Sequence, residues 1–177
     1  MSEWMIALLS VLLGVIVGFV LNEVSQLIKK RRLTKQLKEA LVDELNTNLY
    51  QLDQKIDIAN KMKNAINQGN FLPGISVPFA SSVYSHHFPS ILKDLSSIQR
   101  DNIRHIYSNL RVLDEITFSL EKSYKEDVQG GVLSDTNAAY LGKIEDILNN
   151  YNVLKQLIAC YLEGIPKDIY YRNKSAT

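Results

Sequence analysis

The run from Trp4 to Leu21, WMIALLSVLLGVIVGFVL, contains no charged residue, and Lys29-Lys30-Arg31-Arg32 follows it closely. An α-helix crosses a hydrocarbon core of about 30 Å with about 20 apolar residues, so this stretch, extended through Val24, is long enough to span a bilayer. A helix on the surface of a soluble core shows a polar face, and this one has none. A cleaved signal peptide carries cations before the apolar run and a small-residue cleavage site after it. Here Glu3 precedes the run and LNEVSQLIKK follows it. The expectation is an uncleaved anchor over residues 1–28. The cations mark the cytoplasmic side, which puts the short N-terminus outside and the rest of the chain inside. Trp4 stands where an interfacial aromatic anchor belongs.

Within the span, Ser10, Gly14 and Gly18 recur every four residues on one helix face. Small residues at that spacing let two helix backbones approach closely in lipid, so they are the candidate self-association surface. No ionisable residue lies at the centre of the span, which argues against a proton relay or ion pore built from this helix alone.

The remaining chain is enough for one domain with a core of its own. The net charge is +1, which gives no global electrostatic case for nucleic acid, and no DNA partner is expected. The dense cationic cluster, Lys29 to Arg32 with Lys35 and Lys38, reads as a topology signal attracted to anionic headgroups. A single cysteine, Cys160, excludes an internal disulfide and fits a reducing cytoplasm. Its apolar helical setting makes it a packing thiol.

Apolar residues then set out an all-α fold. Leu33, Leu37, Leu41, Leu45, Leu49, Leu52, Ile56, Ala59, Met62 and Ile66 recur every three or four residues, an amphipathic helix of about nine turns that continues the span without a break. Residues 29–67 are thus a membrane-proximal stalk and first bundle helix. Gly69, Pro73, Gly74 and Pro78 make 68–80 a loop. Short helices are expected at Ser81 to His87, ending before Pro89, and at about Ser90 to Leu95. A second long helix runs from about Ile98 to Tyr124 on a stripe of Ile103, Ile106, Leu110, Leu113, Ile116 or Thr117, and Leu120. The run KEDVQGGVLSD is a second loop. A third long helix follows, capped by Ser134, Asp135 or Thr136, with Tyr140, Leu141, Ile144, Leu148, Tyr151, Leu154, Ile158 and Tyr161 on its stripe and Pro166 as its stop. Residues 68–166 complete the cytoplasmic bundle of three long and two short helices, and 167–177 form a loose tail.

Some residues break the apolar pattern. Glu44 and Asn48 fall on the core stripe, where an unpaired polar group costs about 1–3 kcal/mol. They are expected to hold the backbone of the 68–80 loop, with a polar pocket at a subunit interface as the alternative. His86 and His87 sit beside Tyr84 at a helix end. Adjacent histidines on a helix point different ways, so no metal is expected there, and no HExxH or CxxC spacing occurs. Tyr84 and the histidines are also the kind of side chains that stack on a nucleobase. No phosphate loop or nucleophile elbow occurs either, so neither a standard enzyme nor a cofactor is expected.

Arg100 and His105, in the string RDNIRH, resemble the Arg-x4-His signature of HEPN ribonucleases, all-α dimers that cut RNA at their interface. That resemblance implies a membrane-tethered ribonuclease as a minor reading. DELNTNLYQLDQKI, SVYSHHFPSILKDL and IRHIYSNLRVLDEI resemble a broad set of small bacterial membrane-anchored helical proteins, with Glu44, Asn48, Leu49, Tyr84 and Tyr107 filling the pattern. In layout the chain is also similar to the membrane-anchored effectors of type III CRISPR systems. That resemblance implies an oligomeric single-pass effector or sensor of antiviral defence in a bacterial inner membrane. Its bundle would bind cyclic oligoadenylate and perturb the membrane. Candidate ligand residues are then Asn48, Lys55, Tyr84, His86, His87, Arg104 and Arg111, with the bilayer, the nucleotide and further copies of the chain as partners. The alternative is a non-enzymatic membrane-anchored adaptor, with Tyr170 and Tyr171 as contact points.

Overall fold

The computed structural model describes residues 3–68, 77–130 and 133–164, with the side chains of 3, 5–11 and 133–136 outside that description. The described chain is all-helical: α1 (Glu3–Asn67), α2 (Ser82–Ile91), a 3-10 turn (Leu92–Asp94), α3 (Ser97–Gly130) and α4 (Leu133–Leu162). It divides into two compact units, Met1–Ala40 and Leu41–Thr177.

In the first unit every described side chain from Leu12 to Leu33 is exposed, including Leu13, Val15 and Phe19 at about two-thirds of their surface. This part of α1 is long and apolar enough to cross a membrane, and none of the apolar window is buried by protein. A side chain added at Gly14 or Gly18 would meet no atom within 4 Å. Ser10 lies in the same helix. The four cations from Lys29 to Arg32 are exposed, and successive residues turn by about 100°, so they ring the helix.

In the second unit the rest of α1 packs with α3 and α4 as three long helices. Their core is apolar at helical spacing: Leu45 and Leu52 on α1, Ile103, Ile106 and Leu110 on α3, and Tyr151 and Ile158 on α4 are all but fully buried. Contacts ascend together between α1 and α3, Glu44 with Tyr107 and Lys55 with Asp114, so these two run parallel. They descend between α1 and α4, Asp53 with Lys155 and Lys63 with Glu145, and between α3 and α4, Thr117 with Tyr151 and Asp127 with Tyr140. α4 is therefore antiparallel to both. Parallel neighbours cannot be joined by a tight turn, so the chain must return along the bundle between α1 and α3. Residues 77–96 are the described part of that return.

Several boundaries differ from the periodicity. Pro89 lies inside α2 instead of ending it. Proline removes one helical hydrogen bond, a loss of about 3 kcal/mol in a helix interior. Phe88 and Ile91 are buried on either side of it, and each contributes about 1.5–3 kcal/mol in compensation. The second short helix is only the three-residue 3-10 turn that continues α2. α3 runs through Lys125–Gly130, where a loop was expected, because the Tyr124 ring packs edge-on against Tyr140 and Asp127 accepts the Tyr140 hydroxyl at 2.6 Å. Ser96 starts α3 with a reciprocal box: Gln99 N–H donates to Ser96 Oγ and Ser96 N–H to Gln99 Oε1. α4 begins at Leu133, so Ser134, Asp135 and Thr136 fall in its first turn and not before it. Its end is made by Gly164, whose φ of 68° is the left-handed conformation that closes a helix. Pro166, Tyr170 and Tyr171 lie outside the described residues.

Candidate functional site

Four polar residues of α1, Glu44, Asn48, Gln51 and Lys55, follow one another at steps of four, three and four, which places them on one stripe. The returning segment lies along this stripe. An extended chain in the bundle leaves backbone N–H and C=O groups that need partners, and the stripe supplies them in order. Asn48 takes both groups of one residue, accepting from Ala80 N–H and donating to Ala80 C=O, each at 2.8 Å. Gln51 also accepts from Ala80 N–H. Glu44 accepts from Val83 N–H at 2.7 Å, Tyr84 N–H at 3.1 Å and the Ser82 hydroxyl. Those are the first donors of α2. Its N-cap residue, Ser81, makes no side-chain cap, so a carboxylate from another helix caps it and meets the positive end of its dipole.

α3 closes the clamp from the other side. The Tyr107 hydroxyl donates to Glu44 at 2.6 Å, and the Tyr84 ring stacks on Tyr107 with centroids 4.0 Å apart. Burial, together with that bond to a carboxylate, pushes the Tyr107 hydroxyl far above its ordinary range, so it stays a donor. Asp114 accepts from Phe79 N–H at 2.8 Å and pairs with Lys55 at 3.1 Å. The Lys55 ammonium, nine-tenths buried, also sits 4.4 Å over the Phe79 ring. On the next turn Thr117 and Tyr151 hydrogen-bond at 2.6 Å. Burial is the main force raising Tyr151 to about 12; Asp114 and Glu121 add to it and Thr117 opposes it. The arrangement is a fastening in which charge and hydrogen-bond capacity are used within the chain.

The candidate ligand residues separate into two groups. Asn48, Lys55 and Tyr84 come together in the clamp. His86 and His87 are exposed on α2, with rings 6.3 Å apart and His86 Nδ1 2.8 Å from Ser82 C=O. Arg104 and Arg111 are exposed on α3, two turns apart, pairing along their own helix with Asp101 and Glu115. Arg100 and His105 lie about 140° apart around α3. No group of metal-binding side chains occurs among the described residues. Cys160 is buried and in no disulfide.

No known family matches. Comparison with family models, curated proteins and solved structures returned nothing similar to this chain. The resemblances drawn from sequence therefore stand on the residues quoted for them. Of those residues, Glu44, Tyr84 and Tyr107 meet in the clamp.

The other side of α3 is different. A hollow of about 500 Å³ between α3 and α4 is lined by Ile116, Ser119, Ser123, Lys143, Asp146 and Asn150 among others. A second, of about 140 Å³, joins it at Leu113, Ile116 and Asn150 and continues to His105, Asn109, Val112 and Val153. Together they form one groove, about 27 Å long by helical rise from His105 to Ser123. Residues 105, 109, 112, 116, 119 and 123 of α3 alternate steps of four and three, as do 143, 146, 150, 153 and 157 of α4. Steps of that kind, averaging about one helical turn, place each set on one face of its helix. Val112, Ile116 and Val153 each leave nearly half their surface uncovered there. The sequence reading missed Gln51, Asp114 and this groove. No apolar stripe in the sequence marks the groove.

Proposed function

We propose that the chain is a single-pass inner-membrane adaptor. The apolar start of α1 anchors it, the bundle lies on the cytoplasmic side, and α3 and α4 bear the surface that binds protein. The observation that carries this reading is the contrast between the clamp, whose polar groups bond within the chain, and the apolar groove, which no other part of the described chain covers. The exposed apolar residues 12–28 support the anchor, and the cations at 29–38 support its orientation.

A second reading is a defence effector gated by a nucleotide such as cyclic oligoadenylate. It is favoured by the exposed His86, His87, Arg104 and Arg111, donors of the kind that hold an anionic ligand. The two readings part in one experiment. The full chain is fractionated from cells, extracted in detergent, and melted with and without cyclic oligoadenylates. The adaptor resists alkaline extraction from the membrane pellet, and its melting temperature does not change with nucleotide. A saturable rise in melting temperature transfers the case to the effector, since a ligand that binds the folded form stabilises it by mass action. Release into the alkaline supernatant removes the anchor from both.

A further inference from the structure

We propose that Lys29, Lys30, Arg31 and Arg32 form a ring that binds the phosphates of anionic phospholipids, several lipids at a time, where α1 leaves the bilayer. The ring depends on the anchor of the proposed function and not on the groove.

Five exposed cations of the chain pair with an acid on their own helix. Lys35 pairs with Glu39, Lys61 with Asp57, Arg104 with Asp101, Arg111 with Glu115 and Lys122 with Glu126, each three or four residues away. The four cations of the ring have no such acid. The positions three and four residues before and after each of them hold serine, glutamine, threonine, an apolar residue or another cation. Lys29 and Arg32 themselves stand at that spacing, as do Arg31 and Lys35, and like charges there repel. All four side chains are exposed. The charge that balances them therefore comes from outside the helix.

Height and direction select the lipid surface as its source. From Trp4 to Lys29 the helix rises about 37 Å, and Arg32 follows within about 4.5 Å more. With Trp4 at one edge of a hydrocarbon core of about 30 Å, Lys29 lies about 7 Å beyond the other edge, where the headgroup region is about 5–8 Å deep. The cations are thus level with the phosphates and just past them. Successive residues turn by about 100°, so the four point to all sides of α1. A nucleotide or an acidic protein approaches a helix from one side and leaves the other sides unmatched. A headgroup layer surrounds it. For the same reason the ring takes an annulus of lipids rather than one lipid in a pocket, and its cations share the attraction. The chain then gathers where anionic lipid is dense.

The test uses the full chain, returned from detergent to vesicles whose two leaflets have the same composition, so that the direction of insertion does not affect the result. Trp4 is the single tryptophan. Trp4→Phe with Leu21→Trp moves the fluorophore to the ring's side of the span, at a side chain that is 63% exposed. Brominated lipid chains quench a tryptophan they touch. Brominated phosphatidylglycerol in plain phosphatidylcholine is compared with the reverse mixture, which gives the occupancy of each lipid beside the helix. At low salt phosphatidylglycerol is favoured by about threefold or more. The preference falls to parity when Lys29→Gln, Lys30→Gln, Arg31→Gln and Arg32→Gln are combined, and by a part in each single variant. It is also lost in about 1 M salt, where the screening length is about 3 Å. Lys61→Gln, in the second unit, leaves it unchanged. Equal quenching by the two lipids overturns the ring, keeps the anchor, and leaves the cations to an acidic protein. A preference that survives the fourfold change overturns the proposal, and so does one that a single substitution removes, which marks a one-lipid pocket. Quenching by neither lipid rejects the anchor, and the ring falls with it.

Discussion

The two sides of α3 are built to opposite rules. Towards α1 and the returning segment, Tyr107 and Asp114 each hold a partner from a distant part of the chain, and Thr117 holds Tyr151. Towards the groove, Val112 and Ile116 are apolar and half uncovered, and the polar Ser119 and Ser123 line an open hollow. Polar groups are buried and used on one side, and apolar groups are left uncovered on the other. Side chains whose partners lie within the chain serve folding; side chains that the described chain leaves uncovered are available for something else. The comparison therefore predicts that damage on the first side appears as lost stability, and on the second as lost association.

The largest loss is expected at Glu44. Glu44→Ala strands the Tyr107 hydroxyl, two backbone N–H groups and the Ser82 hydroxyl together. At about 1–3 kcal/mol for each buried donor left unmade, and with Ser82 reaching water, the cost is about 3–5 kcal/mol. Urea unfolding in detergent, followed by the near-ultraviolet signal of the tyrosines, reads it directly. A loss below about 1 kcal/mol would mean that the clamp does not hold the return. Asp114→Ala is next, at about 2–3 kcal/mol, because it leaves Phe79 N–H and the buried Lys55 ammonium without their carboxylate. Asp114→Ala with Lys55→Met recovers part of that loss, since the second change removes the stranded charge. If the double variant is no more stable than Asp114→Ala, Lys55 reaches water more easily than its burial implies.

How far this contrast was legible depends on the distance over which the information acts. The apolar run and the helical stripes are local patterns, and both the long first helix and the three-helix core follow from them. Glu44 and Asn48 were visible because they interrupt such a stripe. Asp114 was not: its role depends on where Phe79 is carried by a return segment, and no window of sequence contains both. Pro89 misled because its local effect is strong, while the burial of Phe88 and Ile91 that outweighs it is tertiary. The box of Ser96 and Gln99 was legible and overlooked. The groove was obscured because its lining mixes His105, Asn109, Ser119 and Ser123 with the apolar residues, and no apolar stripe marks it.

On the groove side, Val153→Ser is expected to change stability by no more than about 0.5 kcal/mol, as is usual for a surface position left about half exposed by the described residues. A loss above about 1.5 kcal/mol in the same urea unfolding would show that the groove wall is part of the folding core and would remove the contrast between the sides.

The smallest expected effect is a pH dependence at His105, which stands at the end of the groove. Its Nε2 lies 2.9 Å from Asn109 Nδ2, an amide that donates. The ring nitrogen must then accept, which the neutral imidazole does and the imidazolium cannot. Burial acts in the same direction and lowers the His105 pKa below its ordinary value of 6.5. The folded chain therefore binds fewer protons than the unfolded chain as the pH falls through 6.5, and stability must decline with it. The contribution is complete above pH 6.5 and is lost progressively below. His105→Gln removes the titrating ring and keeps a side chain that can accept from Asn109. The stability difference between parent and variant should be constant from pH 8 to 7 and shift against the parent from pH 6.5 to 5. Subtracting one chain from the other cancels the carboxylates that also begin to protonate there. A difference that stays flat across the whole range would mean that the ring takes its proton as readily in the folded chain as in the unfolded one, and that this end of the groove is wetter than its geometry implies.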